Sequence, residues 1–406
     1  MERTIASIDV GTTKVCTLVG RVDEEGGLRI VGVGVVPSKG LRKGVVVNVG
    51  EATQAIAASV ERAERISGDQ ITHAHVGVAG THISSFNSRG VVAVSRGHSI
   101  ADDDVNRVLD AALAIAIPHN REVIHVVPRG YTVDGQDGVR DPRGMYGFRL
   151  EVEAHIITGA ATSIHNLANC INQIGIEIDD LVLAPLASGE AVLTPNEREM
   201  GVVLTDIGGG TTDMAIFIEG SVWHTAVLGI GGNHLTNDVA VGLRASFDTA
   251  KEIKEKHGYA IAEAVPVGEN INVPVFGEDS WQAVPRRVLA EVIEARAVEI
   301  FNLLLQEVKR SGYDGLLPAG MVLCGGSAQL AGMRELGRDI LQLPTRIGAP
   351  YDLQGLVDSV SSPAYATGVG LLLWALRQEA TMAPRERPPV SLWERIVHWL
   401  RSFLPG

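Results

Sequence analysis

The sequence predicts an α/β fold built twice, with a small α+β segment inserted into the first copy and an amphipathic helix at the C-terminus. Three observations carry this reading. The N-terminal stretch ASIDVGTTKVCTLVG recurs as GVVLTDIGGGTTDMAIFIEG roughly two hundred residues later. The texture between them changes, from about 84 to 160, to short β runs and a Gly/Asp/Pro-rich loop. A third strand-turn, MVLCGGSAQLAGMRELG, closes the second copy. A repeat this long is no solenoid; it is a duplicated domain whose halves each begin with a β-hairpin.

The elements follow in order. TIASIDV, VCTLVGRV and LRIVGVGVV read as strands, and EATQAIAASVERAERI over 51–66 as a helix, with Ala55, Ile56, Ala58, Val60, Ala63 and Ile66 at roughly helical spacing. HAHVGVAG is a strand. The inserted segment offers GVVAVS, a helix from Asp102 to about Ile117, VIHVVPRGYTV and the loop DGQDGVRDPRGMYG. Asp102, Asp103 and Asp104 suit the start of that helix, where the dipole favours acidic groups. A helix over 163–178 follows, then DDLVLAPLASGEAVL as a strand running into a helix. The second half predicts helices near 233–257 and 284–310, and a closing helix around PAYATGVGLLLWALRQ. The expected division is 1–83 with 161–200 as the first core, 84–160 as the insert, 201–232 with 318–380 as the second core, and 233–317 as its small subdomain. A Pro-rich linker at 381–390 and a tail helix at 391–406 complete the chain.

Composition narrows the function. Of 406 residues, 35 are Lys or Arg and 48 Asp or Glu, a net charge of −13, which argues against a body that grips nucleic acid. Cys16, Cys170 and Cys324 lack CxxC spacing, and His73, His75, His82 and His98 lack metal-ligand spacing, so buried thiols in a reducing cytoplasm are expected. No apolar run reaches membrane-spanning length, and the N-terminus has no signal-peptide pattern.

The hairpin tips carry the chemistry. Gly-rich turns bare their backbone N–H groups, threonine hydroxyls add donors, and such a tip can close over a phosphate chain. Gly11, Thr12 and Thr13 form the first tip and Gly208, Gly209, Gly210, Thr211 and Thr212 the second; matching by residue type aligns Gly11 with Gly210 and Thr12-Thr13 with Thr211-Thr212. Asp9 and Asp206, ending the preceding strands, suit Mg²⁺ held through its waters. Lys14 supplies a compact positive charge to a β- or γ-phosphate. In the third turn, Gly325-Gly326 with Ser327 leaves a strand and is expected to open a helix, with N–H groups and dipole facing outward. Neither a GxxxxGK[ST] loop nor a GxGxxG fingerprint is present. Gly and Thr also serve plain hairpins, but two matching hairpins and the third turn together outweigh that explanation.

The tail SLWERIVHWLRSFLPG sets Leu392, Trp393, Ile396, Val397, Trp399, Leu400 and Phe403 along one stripe. Residues 381–406 hold four Arg against two Glu, so the tail is +2 while residues 1–380 are −15. A cationic, Trp-bearing helix after a Pro-rich spacer suits an anionic membrane surface, in which it lies without spanning.

DVGTTK at 9–14, DIGGGTTD at 206–213 and CGGS at 324–327, in this order, resemble the two phosphate loops and the adenosine loop of the actin-like (ribonuclease-H-like) ATPase superfamily. Within it the chain is similar over nearly its whole length to the bacterial cell-division FtsA family. LGIGGNHLTNDVAVGL, with Gly231-Gly232, EVIEARAVEIFNLL and RIGAPYDLQGLVDSVSSPAYATGVGLL support that likeness, as does the inserted segment. The resemblance implies ATP and Mg²⁺ as ligands, self-association into filaments, binding of the C-terminal peptide of the tubulin-like FtsZ, recruitment of later division proteins, and a peripheral place on the cytoplasmic face of the membrane at the division site. It places the FtsZ peptide on the small subdomain, where Arg296 is the candidate for an acidic partner, and gives Arg140, Arg143 and Arg149 of the insert a contact role. A pilus-assembly adaptor or a small-molecule kinase of the same fold are the alternatives.

Two departures qualify the activity. Lys251 stands where relatives usually place a ribose-contacting Glu, while Lys254 keeps the accompanying lysine and Glu252 faces elsewhere. Ala184 stands where filament-forming relatives carry a Glu, and Glu190 is expected at the surface. No catalytic residue is therefore assigned, and ATP binding with at most slow hydrolysis is expected.

Overall fold

The computed structural model describes residues 3–381, apart from 24–25, 96–97, 115–116, 275–276 and 278–279. The Pro-rich linker from 382 onward and the tail helix, with Leu392, Trp393, Ile396, Val397, Trp399, Leu400 and Phe403, lie outside the described residues.

Two sheets share one strand order. In the first, Leu28–Pro37, Lys14–Val22 and Arg3–Val10 run antiparallel, and His73–Val78 and Glu177–Leu183 follow in parallel. In the second, Ser221–Leu228, Thr212–Ile218, Val202–Ile207, Met321–Cys324 and Thr345–Ile347 repeat that arrangement. The central strands are buried on both faces, so they read as unbroken apolar runs rather than alternating ones. Ile8, Leu18, Val76 and Val182 fill the first core; Met214, Leu235, Ile293 and Phe301 fill the second. All three cysteines are free and buried.

The chain weaves between halves. Of the stretch 318–380, Met321–Cys324 and Thr345–Ile347 join the second sheet, whereas Gln354–Gly355 pairs with the outer strand of the first. The closing helix Ala366–Thr381 lies against the first sheet and the helix Ala184–Val192. There Ser7 Oγ donates to the Gly368 carbonyl at 2.8 Å.

The insert is a four-stranded sheet in the order Ser84–Ala93, Arg149–Ala160, Arg121–Val133, Gln136–Val139, crossed by the helix Asp102–Leu113. That helix stops short of the expected Ile117. The insert also rests on the second half: His155 hydrogen-bonds Thr225 Oγ1 at 2.9 Å through Nε2, its Nδ1 being held by Asn87 within the insert at 2.6 Å, and Ser85 Oγ donates to the Thr225 carbonyl. Burial, with His224 and Arg129 nearby, holds His155 down at about 3, so this joint is made by a neutral imidazole.

Two further helices differ from expectation. The helix predicted over 163–178 is Ala161–Asn172; Gly175, in the left-handed region, turns the chain into the strand Glu177–Leu183. The single helix expected near 233–257 is two, Gly232–Leu243 and Phe247–His257, parted where Arg244 takes a φ of 52°. Ser246 caps the second of these by accepting from Thr249 N.

A candidate nucleotide cleft

Both hairpins end at one cleft of about 520 Å³ between the halves. Each tip is closed alike, Gly11 N donating to the Lys14 carbonyl and Gly208 N to the Thr211 carbonyl, both at 3.0 Å. This register pairs Gly11 with Gly208 and Lys14 with Thr211, so the alignment by residue type was displaced by two positions. The tips face each other closely: a Cβ on Gly209 would lie 1.8 Å from Thr13 Oγ1, and one on Gly210 2.5 Å from Thr12 Oγ1. Only glycine lets the second tip approach the first.

Asp9, Gly11, Thr12, Thr13, Lys14, Asp206, Gly208, Gly209, Gly210, Thr211, Gly232, Lys254, Gly325, Gly326 and Ser327 all line the cleft. Two expected residues do not. Thr212 is fully buried and donates to the Ile230 carbonyl at 2.8 Å, because adjacent strand residues point to opposite faces. Gly231 supports the second tip from behind as the residue before the helix Gly232–Leu243. That helix start spends its N–H groups on the tip, Gly232 N donating to Gly208 O at 2.8 Å and Asn233 N to Gly209 O at 2.7 Å.

The GG turn departs from expectation as well. Gly325, at φ 86°, leads into a single 3₁₀ turn, Gly326–Gln329, and the next helix starts only at Met333. No long helix dipole stands behind Gly326. The turn's work is steric: a Cβ on Gly325 would come within 2.3 Å of Asp206 Oδ1. Ser327 Oγ donates to the Gly208 carbonyl at 3.2 Å, tying this turn to the second tip.

Charge is concentrated at the cleft floor. Asp206 Oδ2 accepts from Ser188 and Thr367 at 3.0 and 3.2 Å. Thr211 Oγ1 donates to Asp213 Oδ2 at 2.7 Å, while Asp213 Oδ1 has no hydrogen-bond partner. Burial pushes Asp9 up to about 6, with Lys14 opposing and Asp206 adding to the rise. Burial, then the charges of Asp206 and Asp9, pushes Asp213 up to about 7. Asp206 is raised by burial too, against its hydroxyl partners and Lys14. Three crowded carboxylates with an orphaned oxygen fit a divalent cation. Among the described residues no three acidic, His or Cys groups converge at direct ligand spacing, so the fit is to an ion reached through its waters. Lys14 Nζ donates to the Ala364 carbonyl at 2.6 Å and lies 3.6 Å over the Tyr365 ring, which aims the ammonium into the cleft mouth.

Sequence reasoning missed several cleft residues. Asp213, Ser188 and Thr367 complete the carboxylate floor, yet Ser188 and Thr367 lie 179 positions apart and only the fold joins them. Glu255 lines the cleft beside Lys251 and Lys254, supplying the carboxylate that Lys251 and Glu252 did not; its place next to Lys254 was the available signal. Lys254 Nζ donates to Thr236 Oγ1 and the Gly232 carbonyl at 2.9 and 3.2 Å, so it braces the wall. Ala184 lines the cleft without a carboxylate. Glu190, expected at the surface, is largely buried and bridges Arg198 and Arg377 at 2.8 and 2.7 Å, beyond the cleft. Arg296 is not a free cation either. Asp238 grips it with two hydrogen bonds, and Glu299 takes a third donor. In the insert, Arg140 pairs with Glu199, Arg143 with Asp102 and Asp141, and Arg149 with Glu151.

Two like sheets around a cleft closed by facing glycine-rich hairpins define the actin-like ATPase class of fold. The solved PilM–PilN type IV pilus biogenesis complex matches with TM-score 0.67 at 14% identity, covering 92% of this chain and 98% of that one. MreB5 of Spiroplasma citri bound to ADP matches with TM-score 0.56 at 15% identity, over 94% of this chain and 99% of that one. Family models for cell division protein FtsA and for the SHS2 domain inserted in FtsA match residues 203–370 and 80–158. Cell division protein FtsA of Pseudomonas aeruginosa is 44% identical, covering 98% of this chain and 97% of its own length. That of Neisseria meningitidis is 41% identical, with 99% of each chain covered. The chain belongs to the cell division protein FtsA family.

Proposed function

We propose that this protein binds ATP with Mg²⁺ in the cleft and joins filaments of FtsZ to the cytoplasmic face of the membrane at the division site. The facing glycine tips carry the nucleotide reading: they put backbone N–H groups on two sides of one phosphate chain, with Lys14 at its end. Asp9, Asp206 and Asp213 would hold the ion through water; the bound ion supplies charge neutralisation for the phosphates. Glu255 suits a ribose hydroxyl as an acceptor. The ADP-bound MreB5 neighbour supports the same ligand class.

Hydrolysis is slow in this reading, because Ala184 leaves its own position on the cleft wall without the carboxylate that would orient water there. Nucleotide then acts chiefly on conformation and on self-association into filaments, which would also multiply a weak hold on lipid. The stripe from Leu392 to Phe403 provides that hold. Among the described residues no helix is long and apolar enough to cross a membrane, and in this reading the stripe attaches peripherally. The FtsZ C-terminal peptide docks on 233–317, and a carboxylate approaching Arg296 there must displace Asp238. Later division proteins meet the insert. Family membership favours this reading over a pilus adaptor or a small-molecule kinase.

Co-sedimentation of the full chain with anionic vesicles, with and without FtsZ, tests the tether; a variant lacking residues 381–406 should leave FtsZ in the supernatant. FtsZ pelleting equally well with that variant overturns the tether. Phosphate release well above about one per second, in the usual enzyme range, overturns slow hydrolysis.

A further inference from the structure

The helix Ala184–Val192 touches two cavities: Ala184 lines the nucleotide cleft, while Leu186 and Glu190 line a second cavity of about 540 Å³. This groove is floored by Val127, Leu186, Phe217 and Trp374, with Asp179 and Asp180 among its polar residues. Its size is that of a ligand pocket. Glu190 is already neutralised by Arg198 and Arg377. Asp180 spends one oxygen on Trp374 and Gln378, and Asp179, 43% exposed, is the most accessible of the groove's carboxylates.

We propose that the groove receives the chain's own segment 391–406, and that the segment occupies either the groove or a lipid surface. The proposal rests on the membrane reading above. The described chain ends beside the groove, for the helix Ala366–Thr381 contributes Trp374, Arg377 and Gln378 to its wall and stops one turn later. The nine residues 382–390 can span up to about 30 Å when extended, ample to turn back, and closing so short a loop costs little entropy. The segment's apolar stripe matches an apolar floor, and its one surplus arginine charge, Arg395 and Arg401 against Glu394, suits the accessible Asp179 carboxylate. A stripe this wide left in water invites aggregation, so shelter is needed until lipid is met. Tethering by a short linker sets a millimolar-range local concentration for the groove, which a weak contact can use.

The test uses the full chain carrying Ser221→Cys at the groove and Ile396→Cys in the segment, treated with a short bis-maleimide; the native cysteines are buried. The expected result is a crosslink within one chain, reduced about fivefold by phosphatidylglycerol vesicles as the segment is drawn to lipid. A Val267→Cys/Ile396→Cys pair, outside the groove, should crosslink poorly. Independently, Asp179→Lys should strengthen vesicle binding about threefold by weakening the sheltered state. Crosslinks formed only between two chains overturn the proposal in favour of a second copy as occupant. No preference for the groove pair in a chain that still pellets with vesicles overturns it while leaving the membrane reading intact. A crosslink untouched by vesicles that the chain does not bind overturns the membrane reading and, with it, the exclusion.

Discussion

The two hairpins are the same backbone device carrying different charges. Opposite Asp9, the first places Cys16, and its tip ends on Lys14; opposite Asp206, the second places Asp213, and its tip ends on Thr211. One copy has gained a cation and the other a second carboxylate. Duplication supplied two like hairpins, and in the proposed reading Lys14 of the first would meet phosphate charge while Asp213 of the second would join Asp9 and Asp206 toward the counter-ion. The cleft therefore needs both halves closed on each other before either hairpin has its complement.

Variants can break this division of labour, beginning with the approach of the tips. Gly209→Val should reduce nucleotide affinity by about a hundredfold, since its side chain collides with Thr13 and misplaces the phosphate path by an ångström or more. Titration with a fluorescent ATP analogue reads this, with circular dichroism to show that the fold survives. Lys14→Met should cost about 2 kcal/mol, or some thirtyfold, as expected for a charge-assisted contact. If Lys14→Met binds nucleotide normally, the first hairpin is not the cationic one in function.

Proton titration separates the hairpins next. Binding of Mg²⁺–ATP should weaken roughly tenfold from pH 8 to 6, as Asp213 near 7 and Asp9 near 6 take up protons that compete with the ion. The ligand-free chain should behave in the opposite sense. Its folded carboxyls hold protons that unfolded ones release near pH 4. The folded state thus binds more protons in that window, and stability rises as pH falls from above 7 toward 4. Asp213→Asn should flatten both trends; calorimetric titration and melting curves across pH check them together. The smallest effect belongs to Thr212→Val, expected to cost about 1 kcal/mol of stability through the orphaned Ile230 carbonyl. Nucleotide affinity should not change, whereas Thr211→Val should alter the pH response through Asp213.

That last contrast marks how far the sequence could be read. Composition and repeat showed two halves, an insert and three glycine turns, because turn chemistry and apolar runs are local. Thr212 was misplaced since hairpin alignment follows hydrogen-bond register, not residue likeness. Ser188 and Thr367 escaped because nothing local brings them to the same floor, whereas Glu255 stood next to Lys254 in the sequence and was passed over. Arg296 looked free until the fold set Asp238 against it. The GG turn looked like a helix start because one 3₁₀ turn and a full helix begin with the same residues.

The weaving of the closing helix has a consequence for biosynthesis. Lys14 is aimed by the Ala364 carbonyl, Asp206 is held by Thr367, and Ser7 is satisfied by Gly368. Strands made first therefore wait for a helix made nearly last. At about 5–20 residues per second, a nascent chain spends on the order of 20–70 s with its first cradle complete in sequence but unfinished in space. A chain cut short before residue 364 would lack these anchors, so nucleotide binding, on the proposed reading, would double as a check that translation passed the closing helix.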